Sequence, residues 1–136
     1  MDNRVIAAYQ QLGFKLVVDP SVNYSGYFDA RSRSITMKQI DDSVYHELGH
    51  FLAFIAGNVD KTASFQSIFA AQKANVTAFN KAYVTQNASE YFAESVKDYI
   101  LNNASLKSSR PQTYAAVQNA LNQITDAQIA KIQKIY

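Results

Sequence analysis

Cysteine is absent from this sequence of 136 residues. Its absence excludes disulfide frameworks, thiolate nucleophiles, zinc ribbons and cysteine-ligated clusters. Long hydrophobic runs are also missing, because no stretch reaches the about 18 apolar residues of a membrane span. Residues 1–9 lack the apolar core of a signal peptide. We therefore expect no membrane span, and the redox compartment stays open.

Charge is scarce and nearly balanced. The chain carries 13 basic and 11 acidic residues, with a net charge of +2 and a pI near 8.8. The basic residues are scattered rather than clustered in a stripe, so we expect no nucleic-acid partner. A composition with 48% hydrophobic and 18% charged residues argues against disorder. The length fits a single domain over 1–136.

The pattern of apolar residues predicts an α+β fold. A first helix over 3–12 precedes a β-rich run over 14–18, and two strands over 26–28 and 34–37 form a hairpin across a polar link. From residue 41 onward the spacing is helical. The predicted helices cover 41–57, about 61–80 with a break of uncertain position, 88–103, 110–123 and 126–135. We expect a helix and a small sheet of about three strands over 1–40, packed on a helical body over 41–136.

The only two histidines lie in the HExxH motif His46-Glu47-Leu48-Gly49-His50. Positions four apart share one face of a helix, so both imidazoles can bind one Zn²⁺ while Glu47 faces the water that completes the coordination. The apolar stripe of this helix points in a different direction from the histidines. The alternative is a pair of structural histidines with an incidental glutamate.

Two imidazoles need a third protein ligand. The extended form of the motif would place a third histidine six residues after His50, where Ala56 stands. The chain has two further glutamates, Glu90 and Glu94, four apart on a predicted helix and therefore on one face. We assign Glu90 as the ligand and Glu94 as the acceptor of the second N–H of a ligating histidine. The alternatives are the opposite assignment, or two solvated carboxylates with Asn87 and Glu90 in a variant capping box.

Tyr83 precedes Glu90 by seven residues, across a polar segment that predicts a turn. A phenol held beside a metal can donate a hydrogen bond to the oxyanion of peptide hydrolysis. The chain has nine tyrosines, so the pattern by itself favours an ordinary core or surface residue at this position.

The segments HELGHF at 46–51, Tyr83 and NASEYFAE at 87–94 resemble the metallopeptidase domain of the anthrax lethal factor family. That family also includes small secreted clostridial endopeptidases that cut between prolines. The resemblance implies His46, His50 and Glu90 as zinc ligands. It also implies Glu47 as the general base and Tyr83 as the partner of the oxyanion. Residues 104–136 carry no matching motif, and no substrate-selecting loop matches, so proline specificity is not carried over.

The resulting expectation is a zinc-dependent endopeptidase with one Zn²⁺ and a peptide or protein substrate bound extended along the cleft. We expect the strand over 35–38 to bind that peptide by strand addition, because it runs directly into the HExxH helix. The alternatives are a catalytically decayed, zinc-stabilised binding or toxin-derived module, and an intracellular regulatory HExxH protease. The resemblance favours a secreted protein, with a cytoplasmic location as the alternative. A monomer is assumed.

Overall fold

A computed structural model of the protein describes residues 2–135 and shows the expected α+β fold. Within that range the strands are β1 (Lys15–Val18), β2 (Gly26–Asp29) and β3 (Ser34–Met37). The helices are α1 (Asn3–Gln11), α2 (Ser43–Ile55), α3 (Ala63–Gln72), α4 (Lys81–Val84), α5 (Ala88–Leu101), α6 (Asn103–Ser109), α7 (Pro111–Asn122) and α8 (Asp126–Ile135). Short 3₁₀ turns cover Val59–Lys61 and Lys73–Asn75.

The sheet has the strand order β1-β3-β2. The predicted hairpin is present, with β2 and β3 antiparallel and Phe28 opposite Ile35. The third strand, β1, runs parallel to β3 and places Leu16 beside Ile35. Side chains alternate along β3, so Ile35 and Met37 are buried against the helices while Ser34 lies on the outer face.

The prediction that the strand over 35–38 binds a peptide by strand addition is wrong. This strand is β3, and both of its edges are already hydrogen-bonded, one to β1 and the other to β2. A strand paired on both sides has no unpaired N–H and C=O row to offer. The edges that remain within residues 2–135 are the outer sides of β1 and β2.

Two helix boundaries differ from those that the sequence predicts. The helix predicted over about 61–80, with a break of uncertain position, ends at Gln72, and the 3₁₀ turn Lys73–Asn75 follows it well before α4 begins at Lys81. The helix predicted over 88–103 ends at Leu101, and residues 104–109, which lie between two predicted helices, belong to α6. A partly buried ion pair between Arg110 and Asp98 ties the end of α6 back to α5. This long-range contact has no signature in the local pattern.

The core lies between the sheet and the packed helices α2 and α5. Phe51, Leu52 and Phe92 are fully buried there, and burying a side chain of this size stabilises the fold by about 1.5–3 kcal/mol. The two helices touch through their backbones, because a Cβ added to Gly49 would lie 2.6 Å from the carbonyl oxygen of Ala93. This close crossing brings the HExxH segment and the second glutamate-bearing helix face to face. None of the helices within 2–135 is long and apolar enough to span a bilayer.

Candidate metal centre

The HExxH motif lies in the middle of α2, as predicted for a helix over 41–57. His46 and Glu47 are each 6% exposed, and His50 is partly buried. The ring centroids of the two histidines are 5.0 Å apart, as expected for side chains one turn apart on the same face. Both imidazoles therefore face the same space beside α5.

Glu90 lies in the first turn of α5 and joins the two histidines. Its Oε2 is 3.2 Å from Nε2 of His46, and its Oε1 is 2.9 Å from Nε2 of His50. The side chain of Asn87 accepts a hydrogen bond from the Glu90 N–H at 2.8 Å and caps the helix. The backbone of Glu90 thus takes part in capping while its carboxylate turns to the histidines.

His46, His50 and Glu90 together offer two imidazole nitrogens and one carboxylate oxygen within 4.8 Å of one another. Two histidines and a glutamate, with one position left open for water, form a donor set known from catalytic zinc sites. The three side chains converge from two helices that the core holds in contact. The residues therefore fit a Zn²⁺ ion in both donor chemistry and spacing.

Glu94 lies one turn after Glu90 and contacts the other nitrogen of His46. Its Oε1 is 2.9 Å from Nδ1 of His46, and both side chains are largely buried. Nδ1 of His46 can donate to Glu94, and in the neutral ring this would direct the lone pair of Nε2 toward a metal held with Glu90 and His50. Glu94 thus contacts only Nδ1 of His46, while Glu90 lies beside Nε2 of both histidines.

These contacts shift the pKa values of all three partners. Although burial alone would lower the pKa of His46, its hydrogen bonds to Glu90 and Glu94 raise it to about 9. Burial alone would raise the pKa of Glu90, but its hydrogen bonds to His46 and His50 hold it far below the ordinary range. The pKa of Glu94 is likewise lowered, since its hydrogen bond to His46 and the positive charges of Lys97, His46 and Arg110 together outweigh burial. Without a metal, the cluster of His46, His50, Glu90 and Glu94 holds a proton on His46, between the carboxylates of Glu90 and Glu94.

The side chain of Glu47 lies against the hairpin. Burial raises the pKa of its carboxyl, and the positive charges of His46 and His50 partly offset this. The backbone N–H of Phe28 in β2 donates a hydrogen bond to the carboxylate. A Cβ added to Gly26 would lie 2.9 Å from Cγ of Glu47. The carboxyl of Glu47 is therefore held between α2 and the edge of β2, with a raised proton affinity.

Sequence reasoning missed Gly26 and Phe28 as residues of the site. Gly26 appeared only as the start of a hairpin strand, and Phe28 only as an apolar strand residue. A glycine inside a strand often marks the close approach of another group, and the glycine at position 26 was the one sequence signal for this contact. The Phe28 ring also stacks on the His50 ring, with centroids 6.5 Å apart.

Tyr83 lies on the short helix α4, just before the cap of α5. Its ring centroid is 6.1 Å from that of His46, and the residue is 54% exposed. Burial and the neighbouring Glu90 carboxylate raise the pKa of its hydroxyl to about 12. Tyr83 thus keeps its proton at neutral pH, and its hydroxyl lies beside the Glu90 carboxylate.

Comparison with known proteins gives two similarities. Residues 22–120 match the family model described as "Anthrax toxin lethal factor, N- and C-terminal domain". A Pro-Pro endopeptidase of Clostridioides difficile (strain 630) is 40% identical over 78 residues, which cover 54% of this chain and 34% of the relative. The chain therefore spans about a third of the length of the curated relative that it matches. The range 22–120 includes every residue of the cluster, together with Glu47 and Tyr83.

Proposed function

Because the chain belongs to the anthrax toxin lethal factor family, we propose that residues 1–136 act as a single zinc-dependent endopeptidase domain. One observation carries the proposal: the Glu90 carboxylate lies within 3.2 Å of Nε2 of both His46 and His50, beside a buried Glu47. A binding module stabilised by zinc needs the three donors but no base next to them. The raised proton affinity of Glu47 instead suits a group that takes up and returns a proton.

His46, His50 and Glu90 would hold the ion, and Zn²⁺ bound there would supply the Lewis acidity that lowers the pKa of a water molecule and polarises the scissile carbonyl. Glu47 accepts the proton of the attacking water and then delivers it to the departing amine. The Tyr83 hydroxyl donates a hydrogen bond to the oxyanion that develops on the substrate. Glu94 keeps the His46 ring in one orientation throughout.

We further propose that the substrate peptide binds extended along the outer edge of β2. The Lys38 N–H donates to the Ser25 carbonyl, so antiparallel alternation turns the backbone groups of Gly26 and Phe28 away from β3. That outward side is where Glu47 lies. The Phe28 N–H on this side donates to Glu47. A peptide that pairs with the remaining outward groups of this edge would lie next to the base, which β3 cannot do from the centre of the sheet.

A cavity of about 190 Å³ beside His50 suits one side chain of such a peptide. Phe28, Ala53 and Phe54 provide apolar walls, while Asp60 and Lys61 also line it. The name of the clostridial relative makes peptides with adjacent prolines the first to test. The cleavage preference of this chain is to be measured and is not taken from the relative. Secretion is a further prediction, checked by detecting the protein in the culture medium of its source.

The decisive experiment is digestion of a peptide library by the zinc-loaded protein, with and without a chelator. We expect cleavage that stops with the chelator and returns when Zn²⁺ is added. Glu47→Gln should lower turnover by about 10²–10⁴-fold with unchanged zinc content, because only the base is lost. Asp126→Asn, a matched change on the exposed start of α8, should leave both unchanged. Zinc binding without any cleavage would favour the binding module, and cleavage that survives Glu47→Gln would remove Glu47 from the mechanism.

A further inference from the structure

Strand β1 forms an exposed, apolar edge on the side of the sheet far from β2. Leu16, Val17 and Val18 are 49%, 42% and 50% exposed. The strand lies at one end of the order β1-β3-β2, and among residues 2–135 no other strand pairs with its outer side. It also precedes the range 22–120 that matches the family. An open edge of this kind recruits another strand unless the protein covers it.

The hydrogen bonds to β3 determine which residues of β1 face outward. The Lys15 N–H donates to the Arg33 carbonyl and the Asp19 N–H to the Met37 carbonyl, each at 2.8 Å. In a parallel pair, alternate residues turn their backbone groups to the same neighbour. Lys15, Val17 and Asp19 therefore face β3, and the backbone N–H and C=O groups of Leu16 and Val18 point out of the sheet.

We propose that β1 pairs antiparallel with β1 of a second copy of this chain, about a two-fold axis at Val17, to form a continuous six-stranded sheet. In this register Leu16 lies opposite Val18 of the second copy, and their outward backbone groups exchange hydrogen bonds. Lys15 lies opposite Asp19 of the second copy, on the same face as Val17. The register is self-complementary in charge, because the axis repeats the Lys15–Asp19 pair on its other side.

The side-chain faces are also compatible with this pairing. Leu16 lies beside Ile35 and Val18 beside Met37, so these two β1 residues extend the buried row of β3 outward to the edge. Joining two copies continues that apolar row across the axis. The Asp19 carboxylate is anchored at the end of the strand, since its Oδ1 accepts both the N–H and the hydroxyl of Ser21. A closed two-fold contact also prevents open-ended addition of further strands.

An edge of four residues is a small interface, so we expect a dissociation constant between about 1 µM and 1 mM. Sedimentation equilibrium of the full chain over this range should show conversion of the 15.2 kDa monomer into a dimer. The monomer assumed from the sequence would then be the form present at low concentration. A monomer at every concentration up to about 1 mM overturns the proposal.

Because the chain has no cysteine, single cysteines can report the register. Residues opposite each other across the axis in a non-hydrogen-bonded pair have Cα atoms about 4.5 Å apart, within disulfide range. Val17→Cys should therefore give a covalent dimer on mild oxidation with diamide. Leu16→Cys, similarly exposed, is the matched control. In this register Leu16 lies opposite Val18 of the second copy, two residues away from the second copy's Leu16. Equal cross-linking of the two variants would contradict this register.

Charge exchange provides a second, independent test. Lys15→Asp places two carboxylates opposite each other at both ends of the contact and should raise the dissociation constant by about tenfold. Asp19→Lys should do the same, and the double variant should recover to within about threefold of the wild type. Lys131→Asp makes the same charge change on α8 and should have no effect. A dimer that is indifferent to Lys15→Asp, or equally weakened by Lys131→Asp, uses another surface and overturns the proposal. Thermal melts show whether each variant is folded.

Discussion

The backbones of Gly49 and Ala93 are in direct contact where α2 crosses α5. A Cβ added to Gly49 would lie 2.6 Å from the carbonyl oxygen and 2.7 Å from the Cα of Ala93. Real Cβ contacts do not occur at such distances, so the two helices would have to separate. The contact lies between the turn that carries His46 and His50 and the turn that carries Glu90 and Glu94. It therefore determines how far the histidines lie from the glutamates.

We predict that Gly49→Ala both destabilises the fold and weakens zinc binding. Overpacking of a tight contact costs about 1–3 kcal/mol, and moving α5 outward would increase the distance from Glu90 to the histidines. Thermal unfolding and competition with a zinc indicator would measure the two effects. Gly57→Ala is the control: its φ of 82° makes alanine costly, but nothing lies within 4 Å of the new Cβ. It should lower stability and leave zinc affinity intact. Equal zinc affinity in the two variants would contradict the prediction.

We predict that Gly26→Ala lowers turnover without removing zinc. The new Cβ would meet Cγ of Glu47 and Sδ of Met37 at 2.9 Å, so the Glu47 carboxylate would be displaced while His46, His50 and Glu90 keep their contacts. The measurement is kcat against a cleaved library peptide, with zinc content by atomic absorption. Gly13→Ala, at a positive φ with open space around it, serves as the control for backbone strain. Full activity of Gly26→Ala would show that the contact with Glu47 is not needed.

We predict that Tyr83→Phe lowers kcat by about 10²–10³-fold with little change in KM. The hydroxyl would donate to the oxyanion, a contact made in the transition state and absent from the bound substrate. Steady-state kinetics separates the two constants. Tyr114→Phe removes a hydroxyl from α7, away from the metal ligands and from β2, and should leave kcat unchanged. A change confined to KM would assign Tyr83 to substrate binding instead.

We predict that Glu94→Gln lowers zinc affinity by about 10–100-fold, because the His46 ring loses its charged partner at Nδ1. Glu90→Gln replaces the charged carboxylate that faces both histidines, and it should lower the zinc affinity more than Glu94→Gln does. Calorimetry in buffers of different ionisation enthalpy would also count the protons released. The wild type should release about one proton at pH 7, since metal binding displaces the proton of His46. A larger loss of affinity for Glu94→Gln than for Glu90→Gln would exchange their roles.

The metal-free protein should be most stable between the ordinary pKa values of glutamate and histidine, 4.5 and 6.5. The pKa of His46 is raised to about 9, so its contribution is complete below pH 6.5 and is lost as the pH rises to about 9. Glu90 and Glu94 have lowered pKa values, so their contribution is present above pH 4.5 and lost as the pH falls. Thermal melts with a chelator would measure this profile. With saturating Zn²⁺ the alkaline decline should disappear, and a metal-free midpoint that rises from pH 6.5 to 9 would contradict the linkage.

Much of the fold follows from local sequence patterns. The hairpin of β2 and β3 is short-range, and the spacing of Leu48, Phe51 and Leu52 predicts α2 with its apolar face inward. The parallel pairing of β1 with β3 was not predictable in this way, because β2 lies between them in the sequence. That pairing moved β3 to the centre and made the strand-addition prediction wrong. The break after Leu101 was also missed, since the Arg110 contact that holds α6 depends on the tertiary fold.

The sequence by itself determined the inventory of the candidate site: with no cysteine, two histidines and three glutamates, few donors can form it. Helical spacing also placed His46 with His50, and Glu90 with Glu94, because residues four apart share a face. The tertiary structure decided which glutamate faces both imidazoles and which contacts only Nδ1 of His46. It also brought Tyr83 and the edge of β2 to the same place. The physical reason is that spacing along one helix fixes directions within that helix, whereas the contact of Gly49 with Ala93 fixes the register between two helices.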